Sequence, residues 1–173
     1  KNNKKTAPRS LSGPTPLKPA TATDDSRTMR TKRRLELIER LVRVKGRDGG
    51  WSYTTRTSSL AEPTAWACIA LSAHGVPDKD WRSGLDFLAR TQRGDGGVPV
   101  CAELDSPCWS TAPAVLSWLR ASPQSDERDR AGVDRGVEWL LRTRGQPIPP
   151  NADVYGHDTT KIGWSWVEGT HSW

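Results

Sequence analysis

Several residue types are scarce in this chain. Among 173 residues there are one Phe, one Met, two Tyr and three His, set against nine Trp. Trp is large and amphipathic, so its dominance among the aromatics suggests packed turns or an aromatic-lined cavity, and packing is the plainer reading of any single one. Cysteine is limited to Cys68, Cys101 and Cys108, an odd number with no C-x-x-C pair. That argues against a disulfide framework and for a reducing compartment. No run of eighteen apolar residues occurs in 1–173, so no transmembrane helix is expected. A cytoplasmic location is the expectation, with peripheral contact to a membrane left open.

Basic excess is also missing from most of the chain, although the net charge is +6. Residues 1–34 carry ten Lys or Arg and two Asp, whereas residues 35–173 carry sixteen basic and eighteen acidic residues. The larger part is therefore slightly acidic, which excludes nucleic acid as its main partner. Residues 1–31 combine Pro, Ser, Thr and Lys with few apolar side chains and are expected to be a disordered basic tail. The only Met is Met29, and native translation is expected to start near it.

What the chain does have is a repeated pattern, clearest in Ser83 to Gly97, SGLDFLARTQRGDGG. Leu85, Phe87 and Leu88 fit one side of a helix, and Gly94, Gly96 and Gly97 stop it. A shift of 47 positions toward the N-terminus places Asp95-Gly96-Gly97 on Asp48-Gly49-Gly50, Leu88 on Leu41 and Thr111-Ala112 on Thr64-Ala65. A shift of 52 in the other direction places Gly84, Phe87 and Leu88 on Gly136, Trp139 and Leu140, and Gly163-Trp164-Ser165 repeats Gly50-Trp51-Ser52. Insertions in loops cost little, which accommodates the longer third spacing.

Between these landmarks amphipathic helices are expected over 32–45, 81–92 and 131–143, alternating with apolar ones over 60–74 and 108–120. Asp80 is placed to cap the second amphipathic helix, and 145–162, with its three Pro, is expected to be irregular. Alternating outer and inner helices in units of this length form a repeat of helical hairpins. The fold class is all-α, and the hairpin domain is expected to span 32–173. Trp173 matches Leu60, so a third inner helix is expected just beyond it and the domain reads as incomplete.

At these residues the chain resembles the prenyltransferase and squalene-cyclase repeat superfamily, whose members are α/α toroids with inner and outer helical rings. Gly84, Phe87, Leu88, Gln92 and Gly96 match the QW motif of the cyclases, with Ser83 and Val98 departing from it. Arg135, Gly136, Trp139 and Leu140 match in the third unit, where Arg144 replaces Gln, and the first unit keeps Gly49 and Trp51. The resemblance implies a partial toroid in which Gly50, Trp51, Gln92, Gly96, Gly97, Trp139, Gly163 and Trp164 are structural. There the Gln amide satisfies helix-end groups and the Trp stacks over it.

The resemblance also implies chemistry. Cyclases of this type protonate an alkene or epoxide with a D-x-D-D acid and steer the cation with aromatic faces, which requires a protonated carboxyl in a dry site. No D-x-D-D occurs in 1–173. Protein prenyltransferase β-subunits hold zinc with an Asp-x-Cys stretch that Asp105 and Cys108 approach with one residue too many, leaving two weak candidates and no site. The starts of the inner helices, which in this fold surround the cavity mouth, contribute Glu62, Thr64, Trp66 and Trp109. The string HDTTKIGWSWVEGTHSW adds His157, Asp158, Trp166, Glu168, His171 and Trp173, for which loop-capping is the plainer role.

The leading expectation is a terpenoid cyclase-like protein that binds an isoprenoid or other apolar molecule in an aromatic-lined cavity, with no cofactor. A non-catalytic helical scaffold is the rival, and a prenyltransferase-like subunit the second alternative.

Overall fold

The computed structural model describes residues 24–55, 57–121, 127–148 and 160–170. Among them are five α-helices: α1 Asp24–Arg43, α2 Ala61–Ala73, α3 Arg82–Thr91, α4 Thr111–Arg120 and α5 Glu127–Arg142. A 3-10 turn covers Asp78–Asp80, and isolated β-bridges pair Trp51 with Leu60 and Cys108 with Val167. The protein is all-α.

Residues 1–34 and 35–173 form two compact units. In the first, residues 24–31 are helical, which corrects the expectation of a disordered tail through residue 31; residues 1–23 lie outside the described part. The stretch from Asp24 to Arg34 contains no Gly or Pro to break a helix. Arg30 and Thr31 each bond to a carbonyl one turn back, those of Ser26 and Arg27.

In the second unit α2 packs on α3 and α4, and α4 packs on α5. Helix α2 is rich in small residues and buries Ala61, Thr64, Ala65, Ala67, Cys68 and Leu71. Its Pro63 sits in the first turn, where a missing N–H costs nothing. Helix α3 buries one face only, Gly84, Leu85, Phe87, Leu88 and Thr91. Leu71, Leu85, Leu88 and Trp118 are fully buried, each contributing about 1.5–3 kcal/mol by leaving water. Bare backbone sets the spacing of the layers. A Cβ on Gly84 would meet Cys68 Sγ at 2.5 Å, and one on Gly136 would meet Val115 Cγ2 at 2.5 Å.

The contacts recur at the spacings visible in the sequence. Gly46, Arg93 and Gly145 each donate a backbone N–H to the carbonyl of Gly50, Gly97 and Gly163, at 2.8, 2.9 and 2.7 Å. The amides of Trp51 and Val98 each receive a threonine hydroxyl as acceptor, Thr64 Oγ1 at 2.8 Å and Thr111 Oγ1 at 2.9 Å. Asp48 and Asp95 accept from the amides of Gly50 and Gly97 in the two DGG turns. Gly49 and Gly96 hold φ of 91° and 96°, a left-handed backbone that only Gly adopts without strain.

Neighbouring hairpins are tied by one further repeated bond. Lys45 Nζ donates to the Asp80 carbonyl at 2.9 Å, and Gln92 Nε2 donates to the Gly132 carbonyl at 2.9 Å and to that of Gly96 at 3.0 Å. Lys45 holds the place of Gln92 one unit earlier and lies 6.0 Å from the Trp51 ring centroid. The Trp51 indole itself donates to the Leu41 carbonyl at 2.8 Å, and that of Trp164 to the Leu140 carbonyl at 2.9 Å. The indole N–H thus satisfies a helix-end carbonyl directly.

Asp80 does not cap α3. Trp81 occupies the N-cap position without a side-chain cap bond, because the 3-10 turn carries Asp80 one residue too early.

Candidate functional site

Glu62 lies in the first turn of α2, and Trp109 lies two residues before α4, at the equivalent position of the next unit. The Trp109 indole N–H donates to Glu62 Oε2 at 2.8 Å, and the Tyr53 hydroxyl donates to the same oxygen at 2.6 Å. Trp66, one turn along α2 from Glu62, is half exposed. Trp166 stands against Trp109 with ring centroids 5.2 Å apart and planes tilted by 57°, and its carbonyl accepts from the Trp109 amide at 2.9 Å. The group is a carboxylate with a row of aromatic side chains, partly open to solvent.

The donors fix the charge of this carboxylate. The Tyr53 hydroxyl, then the Trp109 indole, and also Trp66 hold the Glu62 pKa below its usual range, overcoming the opposing effect of partial burial. Tyr53 responds in the opposite sense, its pKa pushed up to about 12 by the bond to Glu62, by burial and by the nearby charge. An ionised Glu62 cannot protonate an alkene. Together with aromatic faces it favours a positive charge nearby.

The other expected residues divide. Thr64, placed by the sequence at a cavity mouth, is fully buried, because its hydroxyl is taken up by the Trp51 amide and carbonyl. Glu168 is an exposed loop residue whose amide donates to the Pro107 carbonyl at 3.1 Å. His157, Asp158, His171 and Trp173 lie outside the described residues. Trp166, one of the residues of the 157–173 string, takes part, and so does Tyr53, which the sequence reading did not single out. The signal was present, since both stand two residues after the repeated Gly-Trp step, at Trp51 and Trp164.

Asp105 and Cys108 do not converge. The Asp105 carboxylate is fully exposed, 3.6 Å from Arg93 Nη1. Cys108 is buried, with Sγ 3.1 Å from Ser110 Oγ. The intervening Ser106 and Pro107 separate the two ends of the strand of chain. Among the described residues no three His, Cys, Asp or Glu side chains gather as metal ligands. Cys68 is sealed in the core, where burial pushes its thiol pKa up to about 12. No helix among the described residues is long and apolar enough to cross a membrane.

Among curated proteins, drimenyl diphosphate synthase from Streptantibioticus cattleyicolor is 42% identical to this chain over 57 residues. The matched stretch is 33% of this chain and 11% of that enzyme. No family model matches the chain, and no solved structure matches it. The likeness to an enzyme of terpenoid-cyclase type is therefore local.

Proposed function

We propose that the chain is part of a terpenoid cyclase-like protein, built as an α/α toroid of QW-type hairpins, that binds an isoprenoid at the aromatic row along its inner-helix starts. The observation that carries this reading is the bond between Glu62 and Trp109 at equivalent positions of successive inner helices. It sets a carboxylate and tryptophan faces where cationic carbon would be stabilised. The 57-residue similarity to a synthase named for a drimenyl diphosphate product supports the same class.

Within this reading the chain's own residues bind and orient rather than start the reaction. Glu62 is held ionised by its donors, and a D-x-D-D motif is absent from 1–173. Trp66, Trp109 and Trp166 supply apolar and π surface to a folded hydrocarbon. The same observation about Glu62 favours a second reading, a non-catalytic relative that keeps the hairpins and binds without turnover.

Incubating the native protein with squalene, farnesyl diphosphate and geranylgeranyl diphosphate, with product analysis by mass spectrometry, separates the two. A cyclised product establishes the enzyme. Protection against thermal unfolding without product favours the non-catalytic form, and neither effect would remove both readings.

A further inference from the structure

A cleft of about 450 Å³ lies beside the first DGG turn, between the end of α1 and the chain that leads into α2. Its cations are Arg43, Lys45 and Arg47, its hydroxyls include those of Ser52, Thr54 and Thr57, and no Asp or Glu among the described residues lines it. Its volume is that of roughly fifteen waters in the liquid, enough for a small anion and the group that carries it. Ser52 and Thr54 line the cleft, whereas Tyr53 between them donates to Glu62. The cleft and the aromatic row share a loop but no lining side chain.

The second unit has the same place without this chemistry. There, 47 positions on, Arg47, Ser52, Thr54 and Thr57 become Gly94, Pro99, Cys101 and Leu104. The cation of that place, Arg93, stands 3.6 Å from the Asp105 carboxylate and 3.9 Å from that of Asp95. Arg93, Gly94 and residues 102–106 are exposed although α2 and α5 pack against the helices of that unit. The place is therefore open within the hairpin itself, and the difference between the two units is one of charge and donors.

Three positive charges around one cleft repel each other, and a cleft of one sign concentrates counter-ions. Lys45 Nζ is fixed by the Asp80 carbonyl at 2.9 Å and keeps further N–H donors. Among the described residues neither the Arg43 nor the Arg47 guanidinium has a hydrogen-bond or ion-pair partner. Asp48 does not neutralise them, since its carboxylate accepts from Ser59 Oγ at 2.6 Å and from the amides of Ser59 and Gly50. Ser52 Oγ, Thr57 Oγ1 and Thr54 Oγ1 follow one another at 2.6 and 3.2 Å. This row of hydroxyls can donate to an anion beside it.

We propose that this cleft binds a phosphate group, as the free ion or as the head of a small ester. A phosphomonoester brings about two negative charges and three acceptor oxygens, which suits three cations and a row of hydroxyls. A carboxylate brings one charge and two oxygens, too few for the donors present. A guanidinium grips two phosphate oxygens at once, and the Lys45 ammonium and the hydroxyls take the remainder. The site does not rest on the isoprenoid reading.

The test follows the backbone amide resonances of Ser52, Thr54 and Thr57 in the native protein, at constant ionic strength and without divalent metal, as inorganic phosphate, glycerol 3-phosphate or glycerol is added. Both phosphates are expected to shift these resonances saturably, and glycerol to leave them in place. An ester that binds at least as tightly as the free ion identifies a phosphorylated small molecule as the ligand; one that binds more weakly identifies the free ion. Three variants each remove one positive charge. Lys45→Gln installs the residue of the second unit and keeps a donor for the Asp80 carbonyl, Arg47→Gln acts on the free guanidinium, and Arg93→Gln is the control outside the cleft; melting curves check that each folds. Affinity for phosphate is expected to fall about tenfold in the first two and by less than about twofold in Arg93→Gln. The proposal is overturned if neither phosphate shifts the three resonances, if glycerol shifts them equally, or if Arg93→Gln weakens binding as much as Arg47→Gln, which would mean diffuse attraction by net charge.

Discussion

Glu62 and Trp109 stand 47 positions apart, at matching places around the starts of α2 and α4, and are joined by a 2.8 Å bond from indole to carboxylate. One residue of the repeat has become the acceptor and the next the donor. The pair therefore links the starts of α2 and α4 and leaves the Trp66 and Trp166 rings on either side.

Substituting Glu62→Gln tests the charge of this link. Tyr53 is held protonated up to about pH 12 because its hydroxyl donates to the carboxylate, and ionising it would set two negative charges together. A raised folded-state pKa contributes stability that is present below the ordinary value of about 10 and is lost as pH rises through 12. With Gln at position 62 the phenolate titration, followed by ultraviolet absorbance, is expected to move back toward 10. An unchanged titration would remove Glu62 as the cause.

The turn glycines give a contrast within five residues. Gly96 holds φ of 96°, and a Cβ there would press on the Arg135 backbone carbonyl, whereas one on Gly94 would meet nothing within 4 Å. Gly96→Ala is expected to cost about 2–4 kcal/mol, from left-handed strain and a clash with backbone that cannot yield. Gly94→Ala is expected to change stability by less than about 0.5 kcal/mol. Urea unfolding of the two variants measures the difference, and equal costs would contradict the account.

At Gln92 the repeat itself suggests the rescue. Gln92→Ala removes the amide that reaches the Gly96 and Gly132 carbonyls and is expected to cost about 1–2 kcal/mol. Lys45 makes the equivalent bond to Asp80 in the preceding unit, so Gln92→Lys is expected to recover about half of that loss. If Lys is no better than Ala in thermal unfolding, the two positions are not equivalent in energy.

How far the sequence could be read follows from the same residues. The DGG turns, the helix order and the register were legible because Gly, Asp and Leu recur at fixed shifts and each has one physical job there. Thr64 was misplaced because a hydroxyl at a helix start serves a cavity or a backbone equally well on paper. Only the path of Trp51 shows which. Tyr53 and Trp166 were under-read because the second unit carries Val100 at that place, which hides the aromatic pattern. The start of α1 was missed because a tail dense in Arg and Lys looks unfolded by composition, although nothing between Asp24 and Arg34 breaks a helix.

The most direct test of the isoprenoid-binding account is equilibrium binding to the native protein and to Trp66→Ala, followed by tryptophan fluorescence. Trp66 is 50% exposed on α2, so its loss should leave the melting temperature nearly unchanged. The account predicts saturable quenching by at least one of squalene, farnesyl diphosphate and geranylgeranyl diphosphate, weakened about tenfold in the variant by loss of aromatic contact. No saturable quenching by any of the three, or binding that ignores the loss of Trp66, would contradict it.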